Sequence, residues 1–201
     1  MKVSVIYCLF VFGALMFATS LGIAQQGQQQ KDAQAVAPAT KLEAFAAKTG
    51  VVIIRGYTTI GSINGLGPGS VTVDAREFRD AANLKLRVTG LSIQVKESGR
   101  LERESTSFVD YDEIDSLLQG IDYISKIGPD ITQMAKYEAE YITKGDFSVT
   151  TFNSTNGFSV GVSSGKFAKV TAYFKLDNLA KLKTLLQDGK AVIDSTVQNA
   201  N

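Results

Sequence analysis

The chain has 201 residues, with 21 Lys+Arg against 20 Asp+Glu, no His, no Trp and a single Cys. Near-neutral charge leaves no global field to steer the chain to nucleic acid or anionic lipid. Without His, and with its one Cys at position 8, the usual general base, thiolate nucleophile and common zinc sites are missing.

Residues 1–24 read as a secretory signal. Lys2 is a short positive start, residues 3–17 are apolar apart from Ser4, and Gly22 and Ala24 stand at −3 and −1 of a cut before Gln25. The competing reading is an uncleaved anchor, since residues 3–24 are about as long as a membrane span. The apolar core itself is short for one. Cys8 lies mid-run rather than at the cut, which argues against a lipoprotein. Cleavage removes Cys8, so the mature chain makes no internal disulfide, and removes Lys2, which balances the charges. The expected location is secreted or periplasmic. Residues 25–39 (QQGQQQKDAQAVAPA) lack an apolar period and read as a disordered linker. The remainder, residues 40–201, is long enough for a single core.

Thr40 and Glu43 fit a capping box, with Leu42, Phe45 and Ala46 on one helical face and Gly50 as its stop. Residues 51–54 (VVII) and 71–75 read as strands. The Gly-rich residues 61–69 read as a flexible connection between them. In residues 84–95 the alternation changes parity. Leu84, Leu86 and Val88 are even; Leu91, Ile93 and Val95 are odd. One extra residue at Gly90, a β-bulge, would absorb the change. Ser98-Gly99 turns the chain into a strand over residues 101–109.

Asp112 is placed to cap a helix whose Ile114, Leu117, Leu118, Ile121 and Ile124 share a face, stopped by Gly128-Pro129. Residues 131–141 allow strand or helix. Turn signals at 145–146, 156–157 and 164–165 separate alternating runs, and Asp177 precedes a helix carrying Leu179, Leu182, Leu185 and Leu186, with Gly189 as its end.

The halves resemble each other. Ser98-Gly99-Arg100-Leu101 matches Ser164-Gly165-Lys166-Phe167. Val109, Tyr111, Asp112, Ile114, Leu117 and Ile121 match Phe174, Leu176, Asp177, Leu179, Leu182 and Leu186. The expected fold is α+β: antiparallel sheets and two capped amphipathic helices, ββββα twice, over half-repeats 51–128 and 136–189. A hairpin followed by a capped helix also arises by coincidence. This order resembles that of the Whirly-type single-stranded-DNA-binding fold in element order only. No Whirly motif stands in the chain, and fold does not carry function.

No motif for catalysis survives inspection. Residues 61–69 lack the Lys-Ser/Thr ending of a phosphate loop and the last Gly of a dinucleotide fingerprint. Residues 161–166 end in Gly-Lys one residue short of phosphate-loop spacing and read as a hairpin turn. Ser163–Lys166, Ser154–Asn156 and Lys48–Gly50 mimic the penicillin-binding-protein triplet. There, however, the Ser and Lys would sit on a turn rather than a helix.

The acids Asp110, Asp112, Glu113 and Asp115 lack the Gly and Glu of a calcium loop, and helix capping accounts for them. Lys85, Arg87, Lys96, Arg100 and Arg103 alternate with Glu97, Glu102 and Glu104 as a mixed solvated face. Tyr137 and Tyr141 read as packing before carbohydrate stacking. Asn153-Ser154-Thr155 is a glycosylation sequon.

No catalytic, cofactor or metal residue is assigned, no cofactor is expected, and the enzyme question leans to no. The reading is an exported binding, structural or interaction domain. A protein or glycan partner is compatible with it, nucleic acid is not expected, and signal cleavage leaves no stable membrane anchor. The alternatives are a carboxylate-based hydrolase of cell-wall or extracellular glycan and a single-strand nucleic-acid binder.

Overall fold

A computed structural model describes residues 37–154 and 157–198. The signal, most of the linker and residues 155 and 156 of the sequon and turn lie outside them. Two antiparallel meanders make up the fold. The first is β1 (Ile53–Asn64), β2 (Gly69–Asp80), β3 (Arg87–Glu97) and β4 (Arg103–Asp110). The second is β5 (Glu138–Ile142), β6 (Phe147–Ser154), β7 (Gly157–Ser164) and β8 (Val170–Lys175). Helix α1 (Lys41–Ala46) precedes the first sheet, α2 (Ile114–Ser125) follows it, and α3 (Asn178–Gln198) follows the second. The fold is α+β in ββββα repeat order, and residues 138–142 are strand.

One core joins the halves. Val71, Val73, Leu91, Ile93 and Val109 of the first sheet meet Phe147, Val149, Val162, Ala172 and Phe174 of the second, with Leu117, Ile121, Leu182 and Leu186 from the helices. The matched positions behave alike: Leu117 and Leu182 are 0% and 1% exposed. The helices exchange partners, since α3 packs on β1–β3 and α2 on β5 and β6. They also lie against each other antiparallel. Lys183 pairs with Asp122 and Lys190 with Asp115, so seven residues forward on α3 match seven back on α2.

Four expectations are corrected. Gly90 is not a bulge: β2 and β3 pair without a break from Gly69↔Glu97 to Arg79↔Arg87. The parity change has another cause, because the first sheet buries side chains on both faces. Odd residues Val71, Val73, Leu91 and Ile93 enter the main core. Even residues Phe78 and Val88 enter a second cluster with Leu42, Phe45 and Phe108, under α1, on the opposite face. Gly90 is required because a Cβ there would lie 2.3 Å from the Val109 carbonyl oxygen and 2.7 Å from Leu42 Cδ1. The register shift of this sheet lies in β1, between Thr59 and Gly61.

Leu84 and Leu86 precede β3 and are exposed. Residues 61–64 belong to β1, leaving only residues 65–68 as the turn. Gly189 does not end α3, which runs on to Gln198. There the missing side chain allows close packing, since a Cβ would lie 2.7 Å from Leu91 Cδ2. The Thr40–Glu43 capping box is present as expected; α1 ends at Ala46, and Gly50, with φ +74°, lies beyond it.

Candidate functional site

The extra length of α3 builds a concavity against the first sheet. Past Ala75 and Leu91 the inner face of the first sheet continues as Glu77 and Thr89, neighbours across β2 and β3. Beyond Gly189 the helical spacing brings Val192, Ile193 and Thr196 over it. A groove of about 260 Å³ results, walled by Gly56 and Thr58 of β1, Glu77, Thr89 and these α3 residues. A second depression of about 450 Å³ shares Thr89 and adds Arg87, Tyr111, Asp194 and Gln198.

The charges here satisfy one another. The Glu77 carboxylate accepts two hydrogen bonds from Arg79, at 2.7 and 2.9 Å, and one from Arg87 at 3.4 Å. The Glu77 bond raises the Arg79 pKa. Tyr111 donates to Asp194 at 2.5 Å, a bond that together with burial raises the phenol above its ordinary pKa. Lys190 donates to Asp115 at 2.6 Å and is held protonated by it. What is left for a ligand is hydroxyls, backbone and apolar surface. Thr58 and Thr89 stand beside Ala75, Val192 and Ile193.

None of the acids of residues 110–115 caps α2 through a side-chain hydrogen bond, which corrects the capping reading; Asp115 stands in its first turn as expected, and all four tether elements to one another. Asp110 is buried and accepts from the Lys41 and Leu42 N–H groups at 2.8 and 3.1 Å, so it caps α1 from β4. Asp112 pairs with Lys41 at 2.8 Å. Glu113 is buried and accepts from the Lys144 N–H at 2.8 Å, closing the β5–β6 turn. Asp115 holds α3 through Lys190. Among the described residues no group of three or more acids, Cys or His is arranged to hold a metal.

The basic cluster is partly paired. Arg87 takes Glu77, Lys96 takes Glu102 and Arg103 takes Glu97. Tyr137 donates to the Gly128 carbonyl, and Tyr141 donates to Ser116 and lies against Gly120. Tyr141 thus packs on α2, and Tyr137 packs against Phe158 and the loop after α2. Asn153 uses its amide on both sides, donating to the Ala135 carbonyl and accepting from the Tyr137 N–H. Ser163 is buried on β7 against Thr171 at 2.8 Å, and Lys48–Gly50 follow α1 rather than lying on a strand. The triplet therefore does not assemble.

A wider depression of about 740 Å³ at the end of α2 is lined by Tyr123, Ile127 and Ile131 together with Gln119, Asp122, Lys126 and Asp130, of which Asp122 is paired with Lys183. The groove residues lie beyond Gly189, which local spacing alone reads as a stop. The signal was present: Leu182, Leu186, Gly189, Ile193 and Val197 continue one helical face. No known family model matches the chain, and no curated protein matches it.

Proposed function

We propose that the chain is an exported, non-enzymatic binding domain that holds its ligand in the groove between the first sheet and the C-terminal half of α3. One observation carries this reading: the groove's charges are neutralised within the protein while the Thr58 and Thr89 hydroxyls and an apolar wall remain, the Thr196 hydroxyl donating to the Val192 carbonyl. Such a lining suits a neutral ligand rich in hydrogen-bonding groups, an extended peptide or a short oligosaccharide. Glu77 has both oxygens engaged by arginines and Asp194 is engaged by Tyr111. Neither is then a free acid or base for glycan hydrolysis.

Titration of ¹⁵N-labelled protein with panels of neutral peptides and oligosaccharides tests it. The expected shifts are confined to Gly56, Thr58, Thr89 and Thr196 and are lost in Thr89→Arg. Shifts elsewhere would move the site, and release of a cleaved sugar would restore the hydrolase reading. The export part rests on residues 1–24. N-terminal sequencing of exported protein is expected to begin at Gln25, and a start at Met1 would contradict it.

A further inference from the structure

At the opposite end of the first sheet the surface has a different character. The β1–β2 turn (residues 65–68) and the β3–β4 turn (residues 98–102) lie side by side, with the Ser98 N–H donating to the Pro68 carbonyl at 2.9 Å. Strand β8 runs beneath them. The Leu66 N–H donates to the Tyr173 carbonyl at 2.6 Å, and Gly69 lies against Ala172. The β7–β8 turn (residues 165–169) joins this end through Gly165, packed on Ser105 near the start of β4.

Three hairpin tips thus share one end, and each carries a large exposed apolar side chain. Leu66 is 50% exposed, Leu101 79% and Phe167 83%, and Tyr173 beside them is 52% exposed. Exposed apolar residues are unremarkable when scattered; gathered at one end they mark an interaction surface. The pseudo-repeat places Arg100-Leu101 and Lys166-Phe167 at matched positions, a cation followed by a protruding hydrophobe in both halves.

The cations add a second, independent observation. Lys96, Arg103 and Lys169 around this end each pair with a carboxylate. Arg100 and Lys166 are exposed, and among the described residues neither has a carboxylate within ion-pair distance.

We propose that these tips form a peripheral membrane-docking surface, with Leu66, Leu101 and Phe167 entering the acyl boundary and Arg100 and Lys166 meeting anionic headgroups. The shape favours a bilayer over a protein. Separate convex tips would need several matching pockets on a protein, whereas a deformable lipid interface accepts them as they are. Interfacial binding adds buried apolar area to attraction for anionic lipid. The near-neutral total charge is no obstacle, because that attraction acts within about 8 Å of the surface at physiological salt. The proposal is independent of the groove, which lies at the other end of the strands.

The chain has no tryptophan, so Phe167→Trp and Leu101→Trp each install a single reporter, with Tyr123→Trp on α2 as the control. Full-length protein is mixed with vesicles of phosphatidylcholine alone or with phosphatidylglycerol, with and without brominated acyl chains. This readout is local to the tips, so lipid binding by residues 1–24 does not imitate it. The expected result is a blue shift and bromine quenching at positions 167 and 101 that require phosphatidylglycerol and weaken with salt, and neither at 123. Removing Arg100 or Lys166 should raise the half-saturating lipid concentration about fivefold each. Unshifted, unquenched tip reporters on vesicle-bound protein would overturn the proposal, as would quenching that ignores phosphatidylglycerol. A shift produced instead by a single-stranded oligonucleotide would also overturn it, in favour of nucleic acid.

Discussion

The two ends of the first sheet treat charge in opposite ways. At the groove end Glu77, Arg79 and Arg87 satisfy one another, as do Tyr111 with Asp194 and Lys190 with Asp115. At the tip end Arg100 and Lys166 stand in solvent beside Leu101 and Phe167. The groove is concave and the charges at it are paired; the tip end is convex, with cations in excess of their partners. Charges of the first kind hold elements together, whereas those of the second have no carboxylate partner and are expected to matter little to the fold. The overall balance of 21 basic and 20 acidic residues conceals this division.

The largest expected effect concerns the core on which both ends hang. Leu117→Ala and Leu182→Ala should each cost about 2–5 kcal/mol in denaturant unfolding, since both are fully buried at matched positions. A silent change at one and a severe one at the other would break the equivalence of the halves. Next comes Gly90→Val, at about 1–3 kcal/mol from overpacking against the Val109 carbonyl and Leu42. Because α1 supplies Leu42, Leu42→Ala should relieve part of the Gly90→Val cost. Strictly additive losses would contradict the docking of α1 on that face.

Smaller still is an acid effect. The hydrogen bond from Lys183 lowers the Asp122 pKa below 3.8, and that from Lys41 does the same for Asp112. A carboxylate whose folded pKa is depressed contributes stability above its unfolded pKa and loses it as pH falls through the folded one. Melting temperature should therefore decline below about pH 4, and less steeply in Lys183→Met. An unchanged slope would show that the α2–α3 ion pair is idle.

Much of the architecture was legible in residue patterns. The Thr40–Glu43 box, seven of the eight strands, the two helices and their matched core positions follow from local spacing, which reports burial on one face; the spacing of residues 131–141 left β5 open between strand and helix. Spacing failed where burial involved a distant element. Val88 and Leu91 point to different faces because α1, forty residues earlier in the chain, covers one of them. Alternation alone cannot tell a two-faced strand from a bulge. Gly189 looked like a stop because its packing partner, Leu91, lies in the other half. Asp110 looked like a cap of the next helix yet caps α1 across the sheet. The groove depended on these long-range contacts and stayed hidden. The tip pattern Arg-Leu and Lys-Phe was visible, but its convergence at one end was not.

The division of labour between the ends is tested most directly by thermal melts of two variants run side by side. Glu77→Ala leaves two partly buried guanidinium groups without their acceptor. It should cost about 1 kcal/mol after allowance for their exposure to solvent, a downshift of roughly 2–4 °C. The double variant Arg100→Ala with Lys166→Ala should melt with the wild type, as surface changes within about 0.5 kcal/mol do. Equal downshifts in the two would contradict the claim that one end spends its charges on the fold while the other keeps them for a partner.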